Sequence, residues 1–339
     1  MFSIKSDFCL KDFNTFHMNV KSRFFCEINS IQDFKELAET KAFRKARHLI
    51  LGGGSNVLFT GNYDGLIIKN NLQGIEVSGE DENYVYVKSG AGENWHNFVL
   101  WNIDKEFAGL ENLSLIPGNV GASPMQNIGA YGIEIKDVFE ELEAIDMESG
   151  EVVIFNSSEC EFGYRESVFK RKYRERFLIS SVTFRLNKKP KFNISYGAIE
   201  QELEKAGVKE LSIREISNAV IRIRSSKLPS PNVLGNAGSF FKNPEISASH
   251  YHSLKNQFPE LVGYPINDLR FKLAAGWLIE KVGWKGKRVG DAGVHQMQAL
   301  VLVNHGSASG QEIFDLSQKI MNDVQEKFGV QLEREVNIY

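Results

Sequence analysis

Ile116-Pro-Gly-Asn-Val-Gly-Ala-Ser-Pro-Met-Gln-Asn-Ile-Gly-Ala-Tyr-Gly132 sets Gly118, Gly121, Gly129 and Gly132 among small, polar and apolar residues. Such a segment makes a poor core. Glycine tolerates positive φ and lets a second backbone or a ligand come close. Every residue here except Pro117 and Pro124 still offers an amide N–H, so successive amides can converge on phosphate oxygens. A diphosphate-bearing ligand suits such a loop; a multi-turn connection whose glycines serve only tight bends is the competing reading. A second loop, Leu51-Gly-Gly-Gly-Ser-Asn-Val-Leu-Phe59, follows the apolar run His48-Leu-Ile-Leu51, where a short buried strand would end. It fits neither familiar nucleotide pattern, because the position three after Gly54 is Val57 and no Gly-Lys-Ser/Thr follows at P-loop spacing. Two such loops separated by β-like segments suggest one extended ligand lying across two sheets or subdomains, and a dinucleotide such as FAD has that reach.

The chain's 339 residues exceed one small core and predict two or three domains. A formal net charge of -3 provides no global attraction to nucleic acid or to an anionic membrane. The basic run Lys170-Arg-Lys-Tyr-Arg-Glu-Arg176 reads as a solvated loop face rather than a nucleic-acid patch. Cys9, Cys26 and Cys160, odd in number and widely spaced, argue against a disulfide framework and fit buried or inert thiols in a reducing compartment. The N-terminus lacks a signal-peptide pattern and no run approaches the ~20 apolar residues of a membrane helix, so the expectation is a cytoplasmic protein with no membrane partner. The one close histidine pair, His250 and His252, has no Cys or carboxylate at metal spacing, and no metal is expected.

Periodicity predicts a helix over Ser30 to Arg47 with Ser30 and Asp33 as N-cap and N3. Strands are expected at Gly65–Lys69, at Tyr84–Lys88, on either side of Met147-Glu-Ser-Gly150, and at Phe177–Leu186. A helix over Glu93 to Phe107 carries Trp95, Phe98, Val99 and Trp101 toward a core. Ser212-Ile-Arg-Glu215 opens another helix, running to about Arg224, and Lys227-Leu-Pro-Ser-Pro231 marks a domain boundary. Beyond it, Lys272 to Val282 and Ser309 to Phe328 read as helices, with Ala299 to Asn304 a strand between them.

Seven motifs stand in one order: Leu51-Gly-Gly-Gly-Ser-Asn56, Ile116 to Gly132, Phe162-Gly-Tyr-Arg-Glu-Ser167, Gly235-Asn-Ala-Gly-Ser-Phe-Phe-Lys-Asn-Pro244, Ala274-Ala-Gly-Trp-Leu-Ile279, Val294-His-x-x-Gln-Ala-Leu300 and Leu332-Glu-x-Glu-Val336. In that order the chain resembles the UDP-N-acetylenolpyruvoylglucosamine reductases, flavoenzymes of bacterial cell-wall precursor synthesis, from Asn14-Thr-Phe16 nearly to the C-terminus. The resemblance implies an α+β fold: an FAD-binding fold of the vanillyl-alcohol oxidase type, made of two α+β subdomains, with a third α+β substrate-binding domain. Residues 1–70 would form the first subdomain, with 329–339 returning near the site, 71–229 the second, and 230–328 the substrate-binding domain. Tyr196-Gly197 and Tyr264-Pro265 resemble the subclass with a substrate-gating tyrosine loop.

The reaction so implied is reduction of non-covalently bound FAD by NADPH, followed by reduction of the enolpyruvyl ether of UDP-N-acetylglucosamine to a lactyl ether. By resemblance Ser239 gives the proton, a task that needs close alignment because a serine hydroxyl is a poor acid. Arg165 and Glu335 resemble the other catalytic groups, a guanidinium and a carboxylic group disposed to stabilise developing enolate charge. Without the family, Ser239 reads as a turn serine, Arg165 as a surface ion-pair residue and Glu335 as a strand-end carboxylate. The resemblance places FAD on Gly52, Gly53, Gly54, Ser55 and Asn56, on Ile116, Pro117, Gly118, Gly121, Ala122, Ser123, Gln126, Asn127, Gly129, Ala130 and Gly132, and on Arg224. It places substrate or nicotinamide on Tyr131, Tyr164, Tyr196, Lys227, Asn243, Tyr264, Lys272 and Gln298. Asn337 stands where a basic residue is frequent in the family, and Asn119 where small or thiol residues occur. The expected partners are small molecules only, acting on a monomer. Two other readings compete: an FAD-dependent oxidase of a small alcohol on the same fold, often with a covalent flavin link for which the first loop has no histidine, and a nucleotide-sugar binding protein without chemistry, against which Tyr164, Arg165, Ser239 and Glu335 all stand.

Overall fold

A computed structural model of the protein describes residues 2–339, and the chain divides into two compact units. The first comprises Met1–Phe8, Ser22–Gly53 and Asp64–Ser226. One of its sheets orders the strands Lys5–Cys9, Lys21–Ile28, Tyr63–Asn70 and His48–Leu51, the last two parallel with Leu49 opposite Ile67. The other is antiparallel and orders Val152–Asn156, Phe139–Asp146, Phe177–Asn187, Tyr84–Gly90 and Ile75–Glu80. Alternation along Tyr84–Gly90 buries Val85, Val87 and Ser89 on one face. Against that face packs the Trp95–Asp104 helix, capped by Asn94, with Trp95, Phe98 and Val99 in one core with Phe184 and with Trp101 partly buried.

Two helix expectations need correction. The stretch from Ser30 to Arg47 is not one helix but two, Ile31–Ala38 and Lys41–Lys45. The expected capping box of Ser30 and Asp33 opens the first. Thr40 divides them: its hydroxyl donates to the Leu37 carbonyl at 2.7 Å and accepts from the Phe43 N–H at 3.2 Å, ending one helix and capping the next. The Lys272 to Val282 segment begins as a strand, Arg270–Leu273, paired on both sides, and turns helical only at Ala275–Lys281. Asn243 Oδ1, accepting from the Ala275 N–H at 3.0 Å, sets that start.

The Phe139–Asp146 and Val152–Asn156 hairpin is locked at its turn by Asp146, whose carboxylate accepts from the Glu148 N–H at 2.9 Å and from Arg176 Nε and Nη2 at 3.0 and 2.8 Å. Burial alone would raise the Asp146 carboxyl, but the backbone N–H of Glu148 and the Arg176 guanidinium outweigh it and hold the group below the usual carboxylate range. Asp146→Asn should lower stability by about 1–3 kcal/mol in urea unfolding at neutral pH. Because the folded-state value is depressed, this contribution is present above the unfolded carboxylate value and lost as pH falls through the folded one, so the parent and Asn variants should converge in acid. A difference that grows toward low pH would contradict the assignment.

The second unit comprises Cys9–Lys21, Gly54–Tyr63 and Lys227–Tyr339. Its principal sheet orders Gly235–Ser239, Val301–Asn304, Ala292–Val294 and Arg288–Val289. The Gly310–Phe328 helix, opened by the Ser309 and Glu312 capping box, lays Ile313, Leu316, Ile320, Val324 and Phe328 into a core with Phe240, Phe241, Leu278 and Ile279. The C-terminal strand Asn337–Ile338 runs parallel to Val57–Leu58. Cys26 and Cys160 are buried, and burial pushes both thiols up to about 12, whereas Cys9 is exposed. Among the described residues no helix is long and apolar enough to cross a membrane, and no cluster of three His, Cys, Asp or Glu side chains is placed to hold a metal.

Candidate active site

In the first unit the two glycine loops meet. A Cβ built on Gly53 would lie 2.9 Å from Asn119 Oδ1 and 3.0 Å from the Gly118 Cα, closer than real side chains come. Asn119 joins the loops, its amide donating to the Gly92 carbonyl while its carboxamide lies against Gly52 and Gly53. The second loop folds as two short 3-10 turns, Val120–Ala122 and Pro124–Gln126, followed by the hairpin of Gly129–Ala130 with Ile133–Glu134. Gly121 sits against Ala91, where a Cβ would lie 2.5 Å from the alanine methyl. Ser123 Oγ is buried and makes no hydrogen bond. A buried hydroxyl without a partner costs about 1–3 kcal/mol, which a ligand acceptor would recover.

Backbone strain concentrates around this loop. Leu115, Asn127, Tyr131 and Arg165 all have positive φ, at 59°, 45°, 50° and 53°. A non-glycine residue held there costs on the order of 1–3 kcal/mol and persists only where its surroundings over-determine it, as they do at ligand clamps. The surroundings can be named. Gly163 and Glu166 close a two-residue turn with reciprocal backbone bonds of 3.0 and 3.3 Å, and the second turn residue, where glycine is usual, is Arg165. Its Nη2 donates to the Gly129 carbonyl at 2.7 Å, and its guanidinium lies 5.4 Å from the Tyr164 ring centroid. Asn127, fully buried, donates to the Gly163 carbonyl at 3.0 Å and to Glu134 at 2.9 Å, tying the Arg165 turn to the glycine loop. Asn112 donates to the carbonyls of Tyr131 at 3.0 Å and Asn193 at 2.9 Å.

Arg224, on the Ile213–Lys227 helix, donates through Nε to the Leu115 carbonyl at 3.2 Å and hydrogen-bonds the Tyr131 side chain. Burial pushes the Arg224 guanidinium below its ordinary value, opposed by Tyr131, and burial raises the Tyr131 phenol, opposed by Arg224. The Tyr131 ring meets Tyr196 edge-on at 5.4 Å. His96 Nδ1 accepts from the Leu115 N–H at 3.0 Å, and burial followed by the Arg224 charge holds the imidazole below its usual value and therefore neutral near pH 7.

In the second unit, Ser239 ends the Gly235–Ser239 strand opposite Val301, after an irregularity in the register. Gly238 before it has φ of 69° and open space within 4 Å of its Cβ position. The Glu335 N–H donates to the Phe240 carbonyl at 2.8 Å, Lys242 N–H to the Glu333 carbonyl at 2.9 Å, and Asn56 Nδ2 to the Glu335 carbonyl at 3.3 Å. Ser239 and Glu335, distant in sequence, thus stand on adjoining backbones. Tyr264 and Lys272 pair across a three-stranded sheet, with Tyr264 51% exposed. Gln298 Oε1 accepts from the Leu300 N–H at 3.3 Å and lies against Gly276. Lys227 is exposed.

Of the residues singled out from sequence, the first unit thus gathers Arg165, Tyr164, Tyr131, Tyr196, Arg224 and the loop glycines, and the second gathers Ser239, Glu335 and Asn56. Asn243 accepts from the Ala275 amide through Oδ1 only, whereas the Asn127 amide donates to Glu134 and to the Gly163 carbonyl. Sequence reasoning passed over His96, Asn112 and Leu115. His96 lies on the helix read as packing, and no sequence signal marks a leucine for left-handed backbone.

Residues 23–156 match the family described as FAD binding domain, and residues 230–339 match UDP-N-acetylenolpyruvoylglucosamine reductase, C-terminal domain. The chain is 50% identical over 336 residues, 99% of each chain, to UDP-N-acetylenolpyruvoylglucosamine reductase of Flavobacterium johnsoniae. It is 49% identical over 336 residues, again 99% of each chain, to the reductase of Pseudomonas savastanoi pv. phaseolicola. A crystal structure of UDP-N-acetylenolpyruvylglucosamine reductase from Thermus caldophilus, 23% identical, shares the fold with a TM-score of 0.68 over 100% of this chain and 99% of that one. With identity of this order sustained along nearly its whole length, the chain belongs to the UDP-N-acetylenolpyruvoylglucosamine reductase family.

Proposed function

We propose that the chain catalyses the NADPH-dependent reduction of UDP-N-acetylglucosamine enolpyruvate to UDP-N-acetylmuramate, a step of peptidoglycan precursor synthesis, with non-covalently bound FAD. The observation that carries this reading is the bond between the Glu335 N–H and the Phe240 carbonyl, which brings the Glu335 backbone alongside the residue that follows Ser239. The residues of the first unit fit the flavin nucleotide. Gly53 lets its loop approach the Gly118 backbone more closely than any side chain would permit, and Ser123 Oγ is a buried donor without a protein acceptor. When bound, FAD supplies hydride chemistry between NADPH and the enolpyruvyl ether.

One hydride and one proton add across the carbon–carbon double bond. The hydride goes to the terminal carbon, and the negative charge that develops spreads into the carboxylate as an enolate. The proton goes to the carbon bearing the carboxylate. Ser239 donates that proton: its acidity is low, but an enolate carbon is basic enough to take it, and the resulting alkoxide regains a proton from solvent. Arg165 is fixed by its bond to the Gly129 carbonyl, so its charge is oriented before the substrate arrives and needs no reorganisation as the enolate forms. Glu335 supplies the second catalytic group beside the developing enolate. Gly52, Gly54, Ser55, Asn56, Ile116, Pro117, Gly121, Ala122, Gln126, Gly129, Ala130, Gly132 and Arg224 line the flavin, and Asn127 holds that lining in place. Tyr131, Tyr164, Lys227, Asn243, Lys272 and Gln298 take the substrate or nicotinamide. Tyr196 and Tyr264, aromatic and half exposed, suit the gating-tyrosine subclass and stacking near the uridine.

We assign residues 1–70, with 329–339, and 71–229 to two FAD-binding subdomains and 230–328 to the substrate-binding domain. The protein is further assigned as a cytoplasmic monomer acting on small molecules. Incubation with NADPH and the enolpyruvyl nucleotide sugar, followed by mass spectrometry, tests the reaction. The expected product is heavier than the substrate by one hydride and one proton. A nucleotide sugar left unchanged by NADPH, together with oxygen uptake driven by a small alcohol in the absence of NADPH, would favour the oxidase reading instead.

A further inference from the structure

The Leu115 peptide is held from both sides. Its N–H donates to His96 Nδ1 at 3.0 Å, and its carbonyl accepts from Arg224 Nε at 3.2 Å. Leu115 immediately precedes Ile116, the first residue of the long glycine loop, and its φ of 59° lies where a leucine is sterically disfavoured. The turn around it is fastened to the same two helices. From the Trp95–Asp104 helix, Trp95 Nε1 donates to the Leu113 carbonyl at 2.9 Å and Trp95 N–H to the Gly118 carbonyl at 3.0 Å. From the Ile213–Lys227 helix, Ser217 Oγ pairs with Ser114 Oγ at 2.8 Å. These contacts leave the Leu115 N–H itself to one acceptor, the imidazole.

Building on the flavin site proposed above, we propose that His96 is a positioning residue for that site. Through Nδ1 it holds Leu115 in the left-handed conformation that launches the Ile116 to Gly121 backbone, and so sets both the loop amides and the carbonyl that orients Arg224. Only the neutral ring with its proton on Nε2 can do this, because Nδ1 must accept. Without that acceptor the Leu115 amide is unsatisfied, the turn relaxes toward negative φ, and the loop loses the shape that receives the diphosphate.

The test compares His96→Ala, His96→Asn and His96→Gln by titrating flavin-stripped protein with FAD and following fluorescence, beside the thermal midpoint of the stripped proteins. Asparagine presents its oxygen near the place of Nδ1, whereas glutamine reaches the place of Nε2. His96→Ala should raise the FAD dissociation constant about tenfold, the equivalent of one lost hydrogen bond. His96→Asn should restore binding to within about threefold of the parent, and His96→Gln should resemble alanine. If the alanine protein does not fold, the asparagine and glutamine proteins still decide, since the proposal requires asparagine to bind FAD more tightly. Glutamine equal to or better than asparagine, or alanine binding like the parent, overturns the role of His96 alone. A parent protein that takes up no FAD overturns the flavin reading and this proposal with it.

Discussion

Replacing Ser239 with alanine should separate the two halves of the reaction. Reduction of bound flavin by NADPH should proceed as in the parent, while reoxidation by the enolpyruvyl substrate should slow by about 10²–10⁴-fold, the usual range for loss of a positioned proton donor. The selectivity follows from where Ser239 stands. It belongs to the second unit, at the end of a strand beside Glu335, and hydride delivery from a nicotinamide needs no proton from it. The substitution removes one oxygen at a partly exposed position, so a collapse of the fold is not expected. Rapid-mixing absorbance at the flavin band measures both rates in one protein. Equal loss in both half-reactions would remove Ser239 from the role of proton donor.

Gly53→Val should weaken FAD binding by ten- to hundredfold while leaving the apo-protein folded. A Cβ at this position meets the Gly118 Cα at 3.0 Å and Asn119 Oδ1 at 2.9 Å, so the two loops must part. Asn119 can swing away, but a backbone Cα cannot do so without moving the Pro117 to Val120 segment. Overpacking of this kind typically costs about 1–3 kcal/mol, and here the displaced atoms are those proposed to line the diphosphate. Gly53 is exposed and its φ is not positive, so neither burial nor backbone strain gives the variant another reason to unfold. Flavin titration of the valine protein measures the effect; affinity equal to the parent would show that loop contact is unimportant for the cofactor.

Much of this architecture is legible in the chain because the relevant physics is local. The capping boxes at Ser30 and Ser309 lie within four residues and announce helix starts directly. Alternation at Tyr84–Gly90 and the turn at Met147–Gly150 likewise announce strands and a hairpin. Expectations fail where the deciding hydrogen bonds leave no mark on composition or periodicity. The helix expected from Lys272 begins only at Ala275, because two neighbouring strands claim the backbone groups of Arg270–Leu273. Thr40 is neutral in composition, and only its double role with Leu37 and Phe43 splits the helix.

The site shows the same division. Glycine content marked both loops, but their mutual contact at Gly53 and Gly118 is a tertiary fact. Ser239, Arg165 and Glu335 entered through resemblance. What the structure adds is their surroundings: Arg165 stands in a left-handed turn bound to the Gly129 carbonyl, and the Glu335 backbone pairs with that of Phe240. His96 could not be found from pattern, since its distinguishing feature is the Leu115 amide it accepts from.

The most direct measurement is the visible spectrum of the purified protein under anaerobic conditions, first alone, then with NADPH, then with UDP-N-acetylglucosamine enolpyruvate. A flavin band that bleaches with NADPH and returns with the nucleotide sugar is the predicted result, establishing cofactor, donor and acceptor in one sample. A protein that stays colourless and takes up no added FAD, or a bleached band that the nucleotide sugar fails to restore, would contradict the account.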